Sequence, residues 1–202
     1  MIEAIVLAAG FSHRMGAQNK LLLSFRDQPM LRCVLEELID TSIQRIIVVT
    51  GFEHEKIVTI PPPSEKITVV YNPNYQRGQI TSVQFGIQSL SDDATGFMIC
   101  LSDMPFLTSD HYEEVIRVFD HNLPVLTYPI IVPNSGKRPG NPVLFHRQFI
   151  PDFLALTDAE NGKIIMQRSS ATCFSMMTIH PHYFIDIDTP EDYQEYGNRF
   201  WV

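Results

Sequence analysis

The chain has 202 residues, 45% of them apolar, enough to bury the core of one ordinary domain. Lys and Arg number 15 against 23 Asp and Glu, a net charge of −8 that excludes the basic footprint of a nucleic-acid binder. No stretch approaches the roughly 18 consecutive apolar residues of a membrane span, and the opening MIEAIVLAAG lacks the basic start of a secretory signal.

Residues 2–7 (IEAIVL) predict a buried strand running straight into Ala8-Ala9-Gly10. After a glycine-punctuated segment, residues 30–39 carry apolar side chains at helical spacing, and residues 45–50 (RIIVVT) give a second buried strand closed by Gly51. Residues 67–71 (ITVVY) give a third strand, ended by Asn72-Pro73; a helix follows over 82–90 and a fourth strand over 97–101. A helix is expected at 111–119, with extended segments at 124–132, 143–145, 172–179 and 184–188. Strands alternating with helices of this length predict an α/β fold on a mostly parallel sheet, with an antiparallel strand or small lobe from the less regular later half. Pro61-Pro62-Pro63 is too short to separate domains, so residues 1–202 read as one domain. Cys33, Cys100 and Cys173 sit far apart in apolar stretches and read as buried free thiols, which suits a reducing cytoplasm.

The segment LAAGFSHRMGAQNK, residues 7–20, follows the first strand, where ligands of open α/β sheets bind. Gly10 and Gly16 permit close backbone approach, successive N–H groups form an anion nest, and Arg14 and Lys20 add a fork and a point charge. These features point to a polyphosphate. The Walker spacing and the dinucleotide fingerprint G-x-G-x-x-G are both absent. A tight turn with two surface cations would explain an isolated glycine pair, but the full string L-A-A-G-x-S-x-R-M-G-x-x-x-K is more specific.

That string resembles the signature of the nucleotidyltransferases that act on molybdenum cofactor, a branch of the nucleotide-sugar pyrophosphorylase-like superfamily. The resemblance runs along nearly the whole chain and implies a Rossmann-like three-layer sandwich of the nucleotide-diphospho-sugar transferase type. In the family this loop clasps a nucleoside triphosphate, which implies nucleotide contacts for Leu7, Ala8, Ala9, Gly10, Gly16 and Lys20, with Arg14 and Lys20 on the phosphates. The segment Asn72-Pro73-x-Tyr75-x-x-Gly78-x-x-x-Ser82-Val83-x-x-Gly86 resembles the part lying against the nucleobase, although spacing alone fits a turn plus helix cap equally well. Leu101-Ser102-Asp103-Met104-Pro105 resembles the G-D-M-P motif whose Asp holds Mg²⁺, with Ser102 where Gly is usual.

Phe184-Ile185-Asp186-Ile187-Asp188-Thr189-Pro190-Glu191-Asp192 resembles the late D-x-D-T-P-E-D motif. Read as a strand, it puts Asp186 and Asp188 on one face. Asp188 is the better second metal ligand, Asp186 its assistant, and Glu191 and Asp192 compensate the dipole of the next helix. Arg138-Pro139-Gly140-Asn141-Pro142-Val143 resembles the G-H-P segment near the acceptor, with Asn141 replacing His; Arg138, Gly140, Asn141 and Pro142 become acceptor candidates. Lys137 and Arg138 fit an acceptor phosphate and a solvated basic turn almost equally. His180 and His182 lack zinc-ligand spacing and read as surface residues.

The resemblance implies attack by an acceptor phosphate on the α-phosphorus of a nucleoside triphosphate, with Mg²⁺ on Asp103 and Asp188 and catalytic roles for Arg14, Lys20 and Asp103. Leu-Ala-Ala-Gly, rather than the Leu-Ala-Gly-Gly commoner in GTP-using relatives, implies CTP. The implied acceptor is molybdenum-bearing molybdopterin, the product a cytosine dinucleotide cofactor for a molybdenum hydroxylase, and the implied partner that enzyme or its chaperone, met transiently. Transfer to a sugar or polyol phosphate, and a non-catalytic cofactor-delivery role, are the competing readings.

Overall fold

Ile2–Ala8 becomes strand β1 at the centre of the sheet because nearly every side chain in it avoids water. The strand's one charged residue, Glu3, is also buried, and it accepts from the Ser91 N–H at 3.3 Å and from the Ser91 hydroxyl. The computed structural model describes residues 1–16 and 18–199. The expected domain of residues 1–202 includes Ala17 and residues 200–202, which lie outside the described residues.

After β1 come a short hairpin, β2 (Ser24–Phe25) and β3 (Gln28–Pro29), then α1 (Met30–Ile39), β4 (Arg45–Thr50), α2 (His54–Ile57) and β5 (Ile67–Tyr71). Next are α3 (Gln79–Gln88), β6 (Gly96–Leu101), α4 (Ser109–Asn122), β7 (Ile130–Asn134) and β8 (Val143–His146). The chain ends through α5 (Ile150–Leu154), α6 (Lys163–Arg168), β9 (Cys173–Met177) and α7 (Pro190–Arg199). Seven strands make one sheet in the order β5-β4-β1-β6-β8-β7-β9. β5, β4, β1 and β6 are parallel, and β8 runs antiparallel to both β6 and β7. The mostly parallel sheet with an antiparallel insertion is therefore as the pattern predicts.

Alternation along β1 builds the two outer layers. Ala4 and Val6 pack with Leu31 and Leu35 of α1 and Val115 and Phe119 of α4. Ile5 faces the other way, onto Ile80 and Val83 of α3 and Phe153 of α5. Each of these buried Val, Leu, Ile and Phe side chains contributes about 1.5–3 kcal/mol. Gly86 lets α3 lie close on β1: a Cβ there would stand 2.3 Å from Ile5 Cγ2. All three cysteines are free; Cys33 and Cys100 are buried and Cys173 half-buried. No helix among the described residues is long and apolar enough to cross a membrane.

Three expectations change. The helix expected over 82–90 begins at Gln79, directly after Gly78. The extended segment expected from 124 starts only at Ile130, because α4 runs to Asn122 and unwinds through turns with Leu126 at φ 46°. Residues 184–188 are not a strand: a 3-10 turn, Pro181–Phe184, leads into chain that crosses the strand tips. Its backbone meets loops rather than a neighbouring ladder, through Asn141 N–H to Tyr183 O and Ile187 N–H to Asp103 O, both 2.9 Å.

Candidate active site

The parallel strands β5, β4, β1 and β6 end on one edge, so the loops after them converge there. Phe11, in the loop after β1, packs against Phe52 after β4 (5.3 Å between centroids) and Tyr75 after β5 (5.1 Å), and stacks on His13 at 4.8 Å. This aromatic cluster pins the glycine-punctuated loop to its neighbours. Ser12 adopts the left-handed region at φ 55°, and its Oγ accepts from the Lys20 N–H at 3.3 Å. Asn19 is buried, and its Oδ1 accepts from the Leu21 N–H at 3.2 Å. Together these bonds turn the loop back so that Lys20 points into the site.

Lys20 Nζ lies 2.5 Å from Asp103 Oδ2 and 2.5 Å from Asp188 Oδ1, while Arg14 donates to Asp188 Oδ2 at 2.5 Å. Burial pulls the Lys20 pKa down, but the two carboxylates outweigh it and hold the ammonium above the ordinary lysine value. For Asp103 burial wins over Lys20 and raises its pKa. Asp188 is less enclosed, and against its burial Lys20 and Arg14 keep it below the usual carboxylate range. Asp103 comes from the end of β6, whereas Asp188 is delivered by the crossing segment before α7. That segment is fixed by Asp192, whose Oδ2 accepts from the N–H groups of Asp188 (3.1 Å) and Thr189 (2.9 Å). Asp192 thus caps its helix as a first-turn carboxylate should.

Two cavities meet at this charge cluster. One, of about 370 Å³, is lined by the loop residues Ala9, Gly10, Phe11 and Ser12 and by Gly78 and Ser82. The other, of about 520 Å³, is lined by Gly140, Asn141, Val143, Phe145 and Asp186, among others. Leu7, Arg14, Gln79, Leu101, Asp103 and Asp188 belong to both. Of the residues expected to meet a nucleotide, Leu7, Ala9, Gly10, Lys20, Gly78 and Ser82 line the first compartment, and of those expected to meet an acceptor, Gly140 and Asn141 line the adjoining one, with Arg14, Asp103 and Asp188 at the junction.

Several expected residues stand elsewhere. Ala8 turns into the core, because alternation along β1 sends it away from Leu7 and Ala9. Gly16 does not line either cavity; its φ of 71° explains the glycine. Gly10 does line one, yet a Cβ there would meet nothing within 4 Å, so the loop's shape does not depend on it. Ser82 is buried and accepts from Asn72 Nδ2 at 3.0 Å. Gly140 is required by packing, since a Cβ would stand 2.5 Å from Tyr183 O. Pro142 is buried and outside the cavity lining.

Arg138 is withdrawn from the second cavity: its guanidinium donates to Phe184 O at 2.7 Å and lies 5.7 Å from the Phe184 ring centroid. Ser102 is buried, and its hydroxyl donates to Leu7 O at 2.5 Å, tying β6 to β1. His180 is exposed, but His182 is half-buried, 5.1 Å from the His111 ring. Phe11, Asn19, Gln79 and Lys163 were missed in the sequence, and Ser12 stood in the loop string without a role. Ser12 and Asn19 carried the turn-residue signal; the others carried none.

The oxygen donors suit a hard cation. Asp103 Oδ1 is buried without a hydrogen-bond partner, while Oδ2 faces Lys20. Among the described residues no three His, Cys, Asp or Glu side chains form a ready metal cluster, so Asp186 does not complete a set with Asp103 and Asp188. Two carboxylates completed by phosphate oxygens and water are the donor set Mg²⁺ prefers.

The sequence profile of the MobA-like NTP transferase domain matches residues 4–172. The chain is 26% identical to the molybdenum cofactor cytidylyltransferase of Escherichia coli (strain K12), covering 98% of this chain and 97% of that one. It is 24% identical to the molybdenum cofactor guanylyltransferase of Vibrio atlanticus (strain LGP32), covering 96% and 94%. A solved nucleotidyl transferase from Methanothermobacter thermautotroptrophicus shares the fold, with a TM-score of 0.81, 17% identity and coverage of 96% and 95%.

Proposed function

The chain belongs to the MobA-like NTP transferase family, and from that premise we propose that it moves a cytidylyl group from CTP to molybdenum-bearing molybdopterin, releasing pyrophosphate. The observation that carries this reading is the pair of compartments joined at Arg14, Asp103 and Asp188. A two-substrate transfer needs its nucleophile and its electrophile delivered from two sides of one charged centre.

CTP occupies the compartment of the glycine-punctuated loop, with its triphosphate along the loop amides. An acceptor phosphate is already a nucleophile at neutral pH, so no protein base is required. Catalysis is positioning and charge neutralisation. Arg14 forks onto phosphate oxygens, and Lys20 neutralises charge on the departing pyrophosphate as a point charge. Asp103 and Asp188 would hold Mg²⁺, which supplies Lewis-acid neutralisation of the phosphates when bound. Lys20, seated between the same two carboxylates, keeps them from repelling each other.

The preference for CTP rests on Ala9, whose methyl narrows the nucleotide compartment relative to glycine. Asn141 lines the second compartment and offers hydrogen bonds without acid–base capacity, which suits recognition of an acceptor rather than proton transfer. In this reading the enzyme works in the cytoplasm and passes its product to a molybdenum hydroxylase or that enzyme's chaperone. Pyrophosphate release from each of the four nucleoside triphosphates, with and without Mo-molybdopterin, tests it. Release from CTP that requires the pterin supports the assignment; release with glycerol 3-phosphate but not with the pterin assigns a polyol-phosphate acceptor instead.

A further inference from the structure

Lys20 Nζ stands between the two carboxylates that suit a divalent cation, 2.5 Å from Asp103 Oδ2 and 2.5 Å from Asp188 Oδ1. An ion shared by the same two oxygens, at the roughly 2.0–2.1 Å of Mg²⁺, falls on the ammonium itself. Arg14 takes Asp188 Oδ2, and Asp103 Oδ1 is buried without a hydrogen-bond partner. The two cations already balance the two carboxylates. A divalent ion arriving alone has to displace one of them.

The backbone of Lys20 is held in place. Its N–H donates to Ser12 Oγ at 3.3 Å, its carbonyl accepts from the Leu23 N–H at 3.1 Å, and Leu21 beside it is buried. The four-carbon stem is the part that can move. Lys20 lines the compartment of the glycine-punctuated loop, with Gly10 and Ser12, and does not line the second one. Its side chain is only 12% exposed, against 72% for Arg14, so water cannot take over from the carboxylates if the ammonium leaves them. A polyphosphate lying along the loop can, because it offers anionic oxygens in exchange.

We propose that Lys20 is a built-in stand-in for the divalent cation: it closes the Asp103–Asp188 pair to free metal and yields it only to a metal–polyphosphate complex bound along the loop. The proposal rests on the reading that these two carboxylates hold the metal of a nucleotidyl transfer, and it specifies how that site is regulated. The resting place of the ammonium on the carboxylates and its place on the phosphates are then two ends of one side-chain movement. At neither end do the carboxylates stand together without a cation.

Mn²⁺ titrated into the nucleotide-free full chain, followed by electron paramagnetic resonance, reads the site without turnover. Lys20→Ala and Lys20→Gln should each bind Mn²⁺ at least about tenfold more tightly than the wild type, because a like charge no longer stands in the ion's place. Adding Asp103→Asn to Lys20→Ala should remove the gain. A lysine that only braced the loop would, when replaced, leave Mn²⁺ affinity unchanged or lower it. In thermal melts, Mn²⁺ alone should raise the melting temperature of Lys20→Ala and leave the wild type unchanged. Mn²⁺ with inorganic triphosphate should raise the wild type more than triphosphate does alone. Wild-type affinity for Mn²⁺ equal to that of the Lys20 variants, or a gain that survives Asp103→Asn, overturns the proposal. If neither Lys20 variant folds, the wild-type melts decide, and stabilisation by Mn²⁺ without triphosphate overturns it. Inorganic triphosphate carries no base, so failure of the cytidylyl-transfer reading shows separately, as no pyrophosphate from CTP and Mo-molybdopterin while the Mn²⁺ results stand.

Discussion

Lys20 Nζ and Asp103 Oδ2 stand 2.5 Å apart although 83 residues separate them in the chain, and only 12% and 17% of their side chains are exposed. This pair joins the loop after β1 to the tip of β6, and Asp188 closes the cluster from a third direction. Removing its carboxylate should therefore stop the chemistry and leave the fold. Asp103→Asn keeps the shape and a hydrogen-bonding oxygen while losing the charge. Turnover should fall at least about a hundredfold, the scale of losing one preorganised electrostatic group. Steady-state rates across Mg²⁺ concentrations check this, with circular dichroism confirming the fold.

Arg14 and Lys20 separate in a way their spacing does not reveal. Both Arg14→Ala and Lys20→Ala should cost on the order of 2–4 kcal/mol in transition-state stabilisation. Only Lys20→Ala should also lower stability, because it strands Asp103 and Asp188 together, whereas the Arg14 side chain is 72% exposed. Kinetics and thermal melts on the two purified variants distinguish them.

The two loop glycines should behave differently. Gly16 has φ 71°, so Gly16→Ala should destabilise by about 1 kcal/mol. Gly10→Ala should leave the melting temperature unchanged, because its surroundings are open, and should raise KM for the nucleotide if triphosphate lies against that backbone. Paired melting and KM measurements read both effects.

Much of this was legible beforehand because the informative positions were local. β4 and α1 match their predicted bounds, since buried runs and helical spacing are written in consecutive residues. The loop after β1 announced itself by Gly, Arg and Lys at a strand end. Nothing local shows that residues 184–188 lie across strand tips instead of beside a strand, because alternation looks the same in both settings. The fate of Arg138 was equally hidden: a basic turn reads alike whether it faces a ligand or a phenylalanine. Lys163 opens a short helix, and only tertiary packing brings it to the second compartment.

Histidines give the pH dependence. Burial first, then the neighbouring His182 and His180, hold His111 below its ordinary value of 6.5. Burial and His180 do the same to His182. The unfolded chain then binds more protons than the folded one, so stability is complete above the unfolded value and falls as pH drops below about 6.5. Melting temperatures from pH 8 down to about 5.5 should decline, and His182→Gln should flatten the decline. A wild-type profile without slope in that window contradicts it.

Ala9→Gly should relax the nucleotide preference towards GTP, and only partly, because Gly78 and neighbouring lining residues keep their places. The ratio of kcat/KM for CTP over GTP in the two proteins measures it.

Transfer of label is the most direct test of the central claim. The wild-type chain with Mg²⁺, Mo-molybdopterin and CTP labelled at the α-phosphate should move the label into a pterin dinucleotide. Label should not move when Asp103→Asn replaces the wild type, and GTP labelled in the same way should give less product. Label that stays in CTP with the wild-type chain, or that reaches the pterin equally well with Asp103→Asn, would contradict the account.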